Sequence, residues 1–412
     1  MTAPPPELVL VADAVFTPAE RLAPGWVHAR DGRVVAAGDG APPADAPALR
    51  LPRGATLAPG FIDVHVHGGG GAQVGPDPHG IAAVARFHAR HGTTALLATT
   101  VPAPEDELVQ TVRAVAAAAR HPEPDAARVL GCHLEGPFVS PERPGALDAR
   151  HLRAPDAALL DRLLDAGAGS VQTIVVAPEL PGALGLIAAA AAEGVLVALG
   201  HTDATYEQAQ AGFDAGARAA THLFNAMRPL HHREPGVVGA VLASPRVTAE
   251  LIADGIHVHP AALRLAHAAK GAGRLVLVTD AMQAAGAPDG EYRLGEQAIA
   301  VADGAPRTAS GSLAGSTLTM DRAVKLSVEQ AGIPLPDALT MASATPAALL
   351  GLGRVKGRIA PGADADLVIL DQGCRAIATM IAGGWAHAAE PLSRRLRGPG
   401  ADAGRAGARA RD

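Results

Sequence analysis

From residue 59 onward, short apolar segments alternate with alanine-rich segments of helical character. The predicted strands are 61–67, 94–100, 128–134, 171–176, 195–200, 219–223, 248–252 and 275–279. Predicted helices lie between them, for example at 79–91, 105–120 and 204–216. About eight strands that alternate with helices are typical of a parallel (β/α)8 barrel. The chain is therefore predicted to be an α/β protein built on a TIM-like barrel.

The segments on either side of this alternation have a different character. Residues 1–58 contain short β-like runs broken by glycine and proline, and residues 353–391 return to strands and turns. We predict that these two segments form one small split β-sandwich domain around a barrel domain at 59–352. Residues 392–412 contain few bulky apolar side chains, which predicts a disordered tail.

The composition excludes several classes of function. The chain has 412 residues, of which 48% are hydrophobic and 18% charged, as in an ordinary globular protein. Its net charge of -6 and the lack of a basic patch with interleaved aromatic residues argue against nucleic-acid binding. No stretch resembles a signal peptide or a membrane span. Cys132 and Cys374 cannot form a disulfide framework. We therefore expect a cytoplasmic protein with neither nucleic-acid nor membrane partners.

Two histidines lie at the end of the first predicted barrel strand. His65 and His67 share one face of that strand, because side chains two residues apart point the same way. Four glycines, Gly68 to Gly71, follow and allow the backbone to turn away. Two imidazoles at this spacing suit a divalent metal ion. A single His-x-His pattern arises often by chance. Its interpretation as a metal site therefore depends on the residues at the ends of the later strands.

Four later strands end in residues that bind metals or transfer protons. Glu135, His201, His222 and Asp280 each stand at or just after the end of a predicted strand. Taken alone, each has a structural explanation: a rim carboxylate, two hydrogen-bonded histidines and a helix N-cap. Active sites of (β/α)8 barrels, however, collect residues from the carboxyl ends of several strands. Together with the two histidines of the first strand, these residues predict one metal-dependent site.

Nine segments form an ordered set of motifs. In chain order they are PGFIDVHVHGGGG (59–71), HLEGPF (133–138), GHTDA (200–204), THLFNAM (221–227), REPGVVG (233–239), ADGIHV (253–258), LVTDAM (277–282), LAGSTLTM (313–320) and PGADADLVIL (361–370). With this set the chain resembles the amidohydrolase superfamily and, within it, the N-acetylglucosamine-6-phosphate deacetylases. The resemblance implies an amidohydrolase-type barrel with a split β-sandwich, usually as a homodimer. It also implies metal-dependent removal of an N-acetyl group from a phosphorylated amino sugar.

The resemblance implies a metal centre with a catalytic aspartate. Its main ligands are Glu135, His201 and His222, and the catalytic aspartate is Asp280. Some members of the family lack both histidines of the first strand and hold one ion, whereas this chain keeps them, so one or two divalent ions fit. None of the lysines ends a predicted barrel strand, so a carboxylated lysine cannot bridge two ions, and Glu135 has that role if two ions bind. Histidine and carboxylate ligands suit zinc and iron alike.

The resemblance also implies the substrate contacts. Asn225, the Ala226 backbone and His257 match residues that contact the substrate. Arg233 matches the phosphate-side arginine, which in the family reaches the active site of the neighbouring subunit. Leu313 is a further candidate, as an apolar wall for the acetyl methyl group.

Three functions stay open at this point. The first is hydrolysis of N-acetyl-D-glucosamine 6-phosphate to D-glucosamine 6-phosphate and acetate. The second is deacetylation of N-acetylgalactosamine 6-phosphate, or another amidohydrolase reaction, because Leu147 stands where the family usually has a histidine that contacts the sugar. Leucine cannot donate that hydrogen bond. The third is a catalytically dead barrel with a structural role, against which the complete set of ligands argues.

Overall fold

The computed structural model describes residues 7–390 and 392–397. Eight parallel strands follow one another around a barrel in chain order. They are β1 (Phe61–Val66), β2 (Thr93–Thr100), β3 (Arg128–Leu134), β4 (Val171–Val176), β5 (Leu196–Leu199), β6 (Ala219–Ala220), β7 (Thr248–Ile252) and β8 (Leu275–Val278). The predicted (β/α)8 architecture is confirmed.

Backbone hydrogen bonds beyond the strands join β8 to β1. The amide of Asp280 donates to the carbonyl of His65 at 2.9 Å, and the amide of His67 donates to the carbonyl of Ala281 at 2.9 Å. The barrel therefore closes at the carboxyl ends of its first and last strands.

Helices surround the barrel and bury one face against it. In α2, for example, Leu108, Val112 and Val115 are buried at helical spacing, whereas its first turn is acidic and exposes charge. The α-helices are α1 (Pro78–Ala89), α2 (Glu105–Arg120), α3 (Ala157–Gly167), α4 (Ala183–Ala192), α5 (Tyr206–Ala215), α6 (Gly236–Ala243), α7 (Pro260–Lys270), α8 (Met320–Glu329), α9 (Leu335–Ala342), α10 (Ala344–Leu349) and α11 (Leu392–Arg397). Among the described residues, no helix combines the length and apolar character needed to cross a membrane.

Two further sheets contain strands from the ends of the chain. One has four strands in the order Arg33–Asp39, Gly25–Arg30, Glu7–Ala12 and Ala48–Arg50. The other has six, in the order Gly384–Ala388, Ala376–Ile381, Leu367–Leu370, Thr56–Pro59, Ala14–Phe16 and Arg21–Leu22. N-terminal and C-terminal strands thus share a sheet, and their apolar side chains form a common core. The boundaries at 1–58, 59–352 and 353–391 stay a prediction.

A small three-stranded antiparallel sheet follows the last barrel strand. Its strands are Gly290–Leu294, Gln297–Ala302 and Ala305–Arg307. Its apolar side chains pack against Met282 and Ala314. It therefore lies beside the carboxyl ends of the barrel strands.

The structure describes only the first six residues of the predicted disordered tail. The prediction covered 392–412, but Leu392–Arg397 form a helix. Leu392 is 2% exposed, and Leu396, one helical turn later, also packs against the core of the terminal sheets. Two leucines at this spacing anchor the segment, which composition alone did not reveal. Residues 398–412 lie outside the described part of the chain.

Candidate active site

Three of the predicted site residues turn the backbone where a barrel strand stops. His201, His222 and Asp280 have positive φ angles of 45°, 26° and 48°. Such angles are uncommon for residues with a side chain and cost on the order of 1–3 kcal/mol each. The predicted strands 219–223 and 275–279 consequently end earlier, at Ala220 and Val278. The rest of the fold holds these residues in strained backbone conformations at the barrel rim.

Glu135, His201 and His222 form the first group of potential metal ligands. Oε1 of Glu135 lies 3.2 Å from Nε2 of His201 and 3.0 Å from Nε2 of His222, and the two nitrogens are 3.1 Å apart. Two ring nitrogens this close repel each other unless a proton or a cation lies between them. Tetrahedral zinc with bonds of 2.0–2.2 Å holds its ligand atoms about 3.3–3.6 Å apart. The observed separations are slightly shorter, so the donor set fits a divalent ion after a small outward shift of these side chains.

A second group adjoins the first and shares Glu135 with it. Nε2 of His67 lies 3.2 Å from Nε2 of His65, 3.2 Å from Oδ1 of Asp280 and 3.1 Å from Oε2 of Glu135. Nε2 of His65 is 3.3 Å from Oε1 of Glu135. The carboxylate of Glu135 thus contacts both groups, which is the arrangement that a bridging ligand requires.

The charges of the site favour a bound cation. Burial lowers the pKa of His67, but Asp280 and Glu135 outweigh that effect and raise it to about 9. Burial raises the pKa of Asp280, but His65 and His67 outweigh that effect and lower it below its ordinary value. In the protein alone, the two carboxylates therefore draw protons onto the neighbouring imidazoles. A divalent ion supplies the same positive charge with donors of the right type.

The tautomer of His201 suits a ligand role. Its Nδ1 lies 3.0 Å from the carbonyl oxygen of Arg143, to which it can only donate. Nε2 then carries the lone pair and faces Glu135. Arg143 itself is held by Asp203, whose Oδ1 accepts from Nε of Arg143 at 2.8 Å.

The predicted substrate residues line one cavity with the metal-ligand candidates. This cavity has a volume of about 280 Å³. Asn225, Ala226, His257 and Leu313 face it together with Asp280. Nδ1 of His257 pairs with Oδ2 of Asp254 at 2.7 Å, which fixes the orientation of the ring. Apart from Arg233 and His65, which do not line it, every predicted site residue borders this cavity.

Arg233 lies elsewhere. It is exposed on the segment before α6, and its Nη1 is 2.8 Å from Nε2 of His232. It does not line the cavity of its own chain. The prediction assigned Arg233 to the site of a neighbouring subunit, and that assignment stays a prediction.

Sequence reasoning missed two contributors. Leu294, from the three-stranded sheet, lines the cavity beside Leu147 and Leu313 and extends its apolar wall. Glu250, in the middle of β7, lies 3.1 Å from Nδ1 of His65. The only signal for Glu250 was a carboxylate within an otherwise uncharged buried strand, Thr248–Ile252. Nothing in the sequence pattern distinguished Leu294.

The chain matches a known protein family over most of its length. The profile of the amidohydrolase family matches residues 56–387. The chain belongs to the amidohydrolase family. An N-acetylgalactosamine-6-phosphate deacetylase of Escherichia coli O157:H7 is 44% identical over 77% of this chain and 84% of its own length. An N-acetylglucosamine-6-phosphate deacetylase of Vibrio furnissii is 42% identical over 76% of this chain and 78% of its own length.

A solved structure of this amidohydrolase family resembles the chain throughout. It is an aspartate-to-alanine mutant of the N-acetyl-D-glucosamine-6-phosphate deacetylase from Mycobacterium smegmatis, in complex with N-acetyl-D-glucosamine-6-phosphate. The match has a TM-score of 0.88 and 43% identity and covers 93% of this chain and 100% of the other. The predicted resemblance to N-acetylglucosamine-6-phosphate deacetylases is confirmed.

Proposed function

We propose that the chain hydrolyses the N-acetyl group of N-acetyl-D-glucosamine 6-phosphate, giving D-glucosamine 6-phosphate and acetate in the cytoplasm. The observation that supports this most directly is the convergence of Asp280 with two histidine–carboxylate groups at one cavity. Relatives over most of the chain carry the name of this activity. The reaction needs an activated water, a proton carrier and an apolar place for the acetyl methyl group, and the cavity offers residues for each.

The residues that would hold the metal are the two groups already described. Glu135, His201 and His222 would hold one ion, and His65 with His67 would hold a second one, bridged by Glu135. When bound, a divalent cation such as zinc or iron lowers the pKa of water to about 7 in favourable sites and polarises a carbonyl oxygen.

Asp280 is the proposed proton carrier. Positive charge beside Asp280 keeps its pKa below the ordinary value, and a bound cation would supply that charge in place of the protonated imidazoles. The carboxylate is therefore ionised at neutral pH and can accept the proton of the attacking water. It then donates this proton to the amide nitrogen, because an amine leaves only when it is protonated. The same side chain thus serves first as general base and then as general acid.

The remaining residues orient the substrate. Asn225 and His257 place polar groups at the cavity wall, and Asp254 fixes the His257 ring. Leu313, with Leu294, offers the acetyl methyl group an apolar contact that also excludes water.

Replacing Asp280 with asparagine tests this assignment. Asparagine has almost the same shape but cannot accept the proton, so we expect kcat to fall about 100- to 10,000-fold. Metal content, measured by elemental analysis, should stay close to that of the wild type. A D280N enzyme with nearly normal kcat would refute the role of Asp280.

Removal of the metal ion with a chelator distinguishes the enzyme hypothesis from that of a catalytically dead barrel. Removing the ion with a chelator should abolish acetate release, and adding Zn²⁺ back should restore it. Purified protein without a stoichiometric divalent ion and without activity would favour the structural role instead.

Arg233 supports the proposal of a homodimer. It carries a permanent charge and planar donors that suit phosphate, yet it lies outside the cavity of its own chain. Mixing R233A and D280N subunits tests whether it acts on the neighbouring site. If it does, activity returns to about a quarter of the wild type, since half of the dimers are mixed and each has one intact site. If Arg233 serves its own subunit, mixing restores nothing.

The sugar epimer is the second candidate. A relative named for N-acetylgalactosamine 6-phosphate is 44% identical, and Leu147 borders the cavity with a side chain that cannot hydrogen-bond a hydroxyl. Values of kcat/KM for the two epimeric sugar phosphates decide between them. A clear preference for the galactosamine epimer would replace the proposed substrate while leaving the reaction unchanged.

A further inference from the structure

We infer that Glu250 is a positioning residue that orients His65 toward the second metal ion, an inference that rests on the proposed two-ion site. Glu250 lies in the middle of β7 and is 2% exposed. A carboxylate in the barrel interior loses its hydration and persists only where donors surround it. The hydrogen-bond donors around Glu250 therefore indicate the role of its carboxylate.

Three donors converge on a single oxygen of Glu250. Oε2 lies 3.1 Å from Nδ1 of His65, 2.6 Å from Oγ1 of Thr221 and 3.3 Å from the backbone nitrogen of His222. The Thr221 hydroxyl donates to Glu250, so its oxygen is free to accept from His65 at 3.1 Å. The donors come from β1 and from the turn after β6, which are the elements that carry the ligands.

This arrangement determines the tautomer of His65. A carboxylate can only accept, so Nδ1 of His65 carries the proton. Nε2 then keeps its lone pair, and it is this atom that lies 3.2 Å from Nε2 of His67 and 3.3 Å from Glu135. A carboxylate behind a histidine ligand also makes the ring nitrogen a better donor to a metal.

A third metal ion at Glu250 is the competing explanation. His65, His133 and Glu250 place one ligand atom each within 4.8 Å of one another. Nε2 of His133 is buried and has no hydrogen-bond partner among the residues that the structure describes. However, Oε2 of Glu250 already accepts from three donors, and an ion there would displace the proton from Nδ1 of His65. The contacts therefore favour positioning over direct ligation.

Metal titration of four proteins tests this inference. Demetallated wild type, Glu250→Leu, Glu250→Gln and Asp321→Asn are titrated with Co²⁺, and binding is followed by calorimetry and by the visible absorption of the ion. Asp321 is a buried carboxylate that accepts hydrogen bonds from Thr319 and Ala376, neither of which lines the cavity, so Asp321→Asn controls for the loss of a buried charge.

We expect two equivalents to bind to the wild type and to Asp321→Asn. In Glu250→Leu the first equivalent should bind as before, and the second should bind about 10- to 100-fold more weakly. Glu250→Gln keeps an oxygen that accepts from His65, so its second affinity should be intermediate. If Glu250→Leu does not fold, the isosteric glutamine variant carries the comparison with the wild type.

Distinct results would overturn the inference. Unchanged second-ion affinity in both Glu250 variants would show that Glu250 does not orient His65. A third equivalent in the wild type that Glu250→Leu loses would make Glu250 a ligand. A wild type that binds one ion and still releases acetate would remove the second site but keep the proposed reaction. Only the loss of both metal binding and activity in the wild type would refute the proposed function.

Discussion

Replacing Lys356 with methionine should destabilise the fold, because this lysine neutralises two carboxylates beside a cleft between barrel strand β3 and the terminal sheets. Nζ of Lys356 lies 2.7 Å from Oδ2 of Asp364 and 2.6 Å from Oδ2 of Asp366. The side chains of Lys356, Asp364 and Asp366 are 13%, 18% and 4% exposed. Methionine fills much of the same volume but leaves the carboxylates without their common partner.

The expected loss of stability depends on the partners that each carboxylate keeps when the lysine is removed. Removing one partner of a buried ion pair costs about 3–5 kcal/mol. Asp364 keeps the guanidinium of Arg33 at 2.5 Å, and Asp366 keeps the amide of Ala382 at 2.7 Å. We therefore expect a loss at the lower end, about 3 kcal/mol. This is about a 100-fold change in the unfolding equilibrium constant.

The pH dependence has a definite sign. Burial lowers the pKa of Lys356, but Asp366 and Asp364 outweigh that effect and raise it above 10.5. A cation whose pKa is higher in the folded state stabilises fully below its unfolded pKa and loses the effect as the pH rises through the folded value. The difference between wild type and variant should therefore be constant from about pH 7 to 10 and shrink at higher pH.

Urea denaturation at fixed protein concentration measures this loss of stability. Tryptophan fluorescence is a suitable probe, because Trp26 and Trp385 both lie in strands of the terminal sheets. Lys325→Met is the matched control, because the side chain of Lys325 is 44% exposed and its ion pair with Glu329 is long, at 3.9 Å. Exposed pairs contribute about 1 kcal/mol or less. If Lys356→Met is no less stable than Lys325→Met, the reasoning about the buried triad is wrong.

Three further predictions concern packing and the cavity. Phe213 is fully buried in the barrel core, so Phe213→Ala should lower the free energy of unfolding by about 3–5 kcal/mol in urea titrations. Leu313→Ala removes an apolar wall of the cavity and should lower kcat/KM about tenfold, whereas an unchanged value would exclude contact with the acetyl group. Gly145 has φ 58°, and an added Cβ would lie 3.2 Å from Cε1 of His201, so Gly145→Val should weaken metal binding in a Zn²⁺ titration.

The sequence could predict the ligand candidates because their positions obey a simple rule. Glu135, His201, His222 and Asp280 stand where apolar strands stop, and parallel strands bring all such ends to one rim. Once the barrel was inferred, their proximity followed. The helical tail segment at Leu392 was missed because six residues with two leucines do not stand out by composition.

Other features depend on geometry that no local pattern encodes. Glu250 belongs to a strand whose register decides whether its carboxylate faces the interior or the helices. Leu294 reaches the cavity only through the way the small three-stranded sheet packs on the rim. The place of Arg233 relative to phosphate depends on a partner chain, which the sequence of one chain cannot position.

The hydrogen bonds that join β8 to β1 have a consequence for how the enzyme matures. They use the backbones of His65, His67 and Asp280. The residues that close the barrel therefore also carry side chains of the second group of potential metal ligands. Contacts between such distant parts of a chain form late in folding, because the long intervening loop must close first. A nascent polypeptide still lacking its last strand can form neither these hydrogen bonds nor the contact between Asp280 and His67. The proposed proton carrier, Asp280, therefore reaches His67 only after synthesis has passed the final barrel strand.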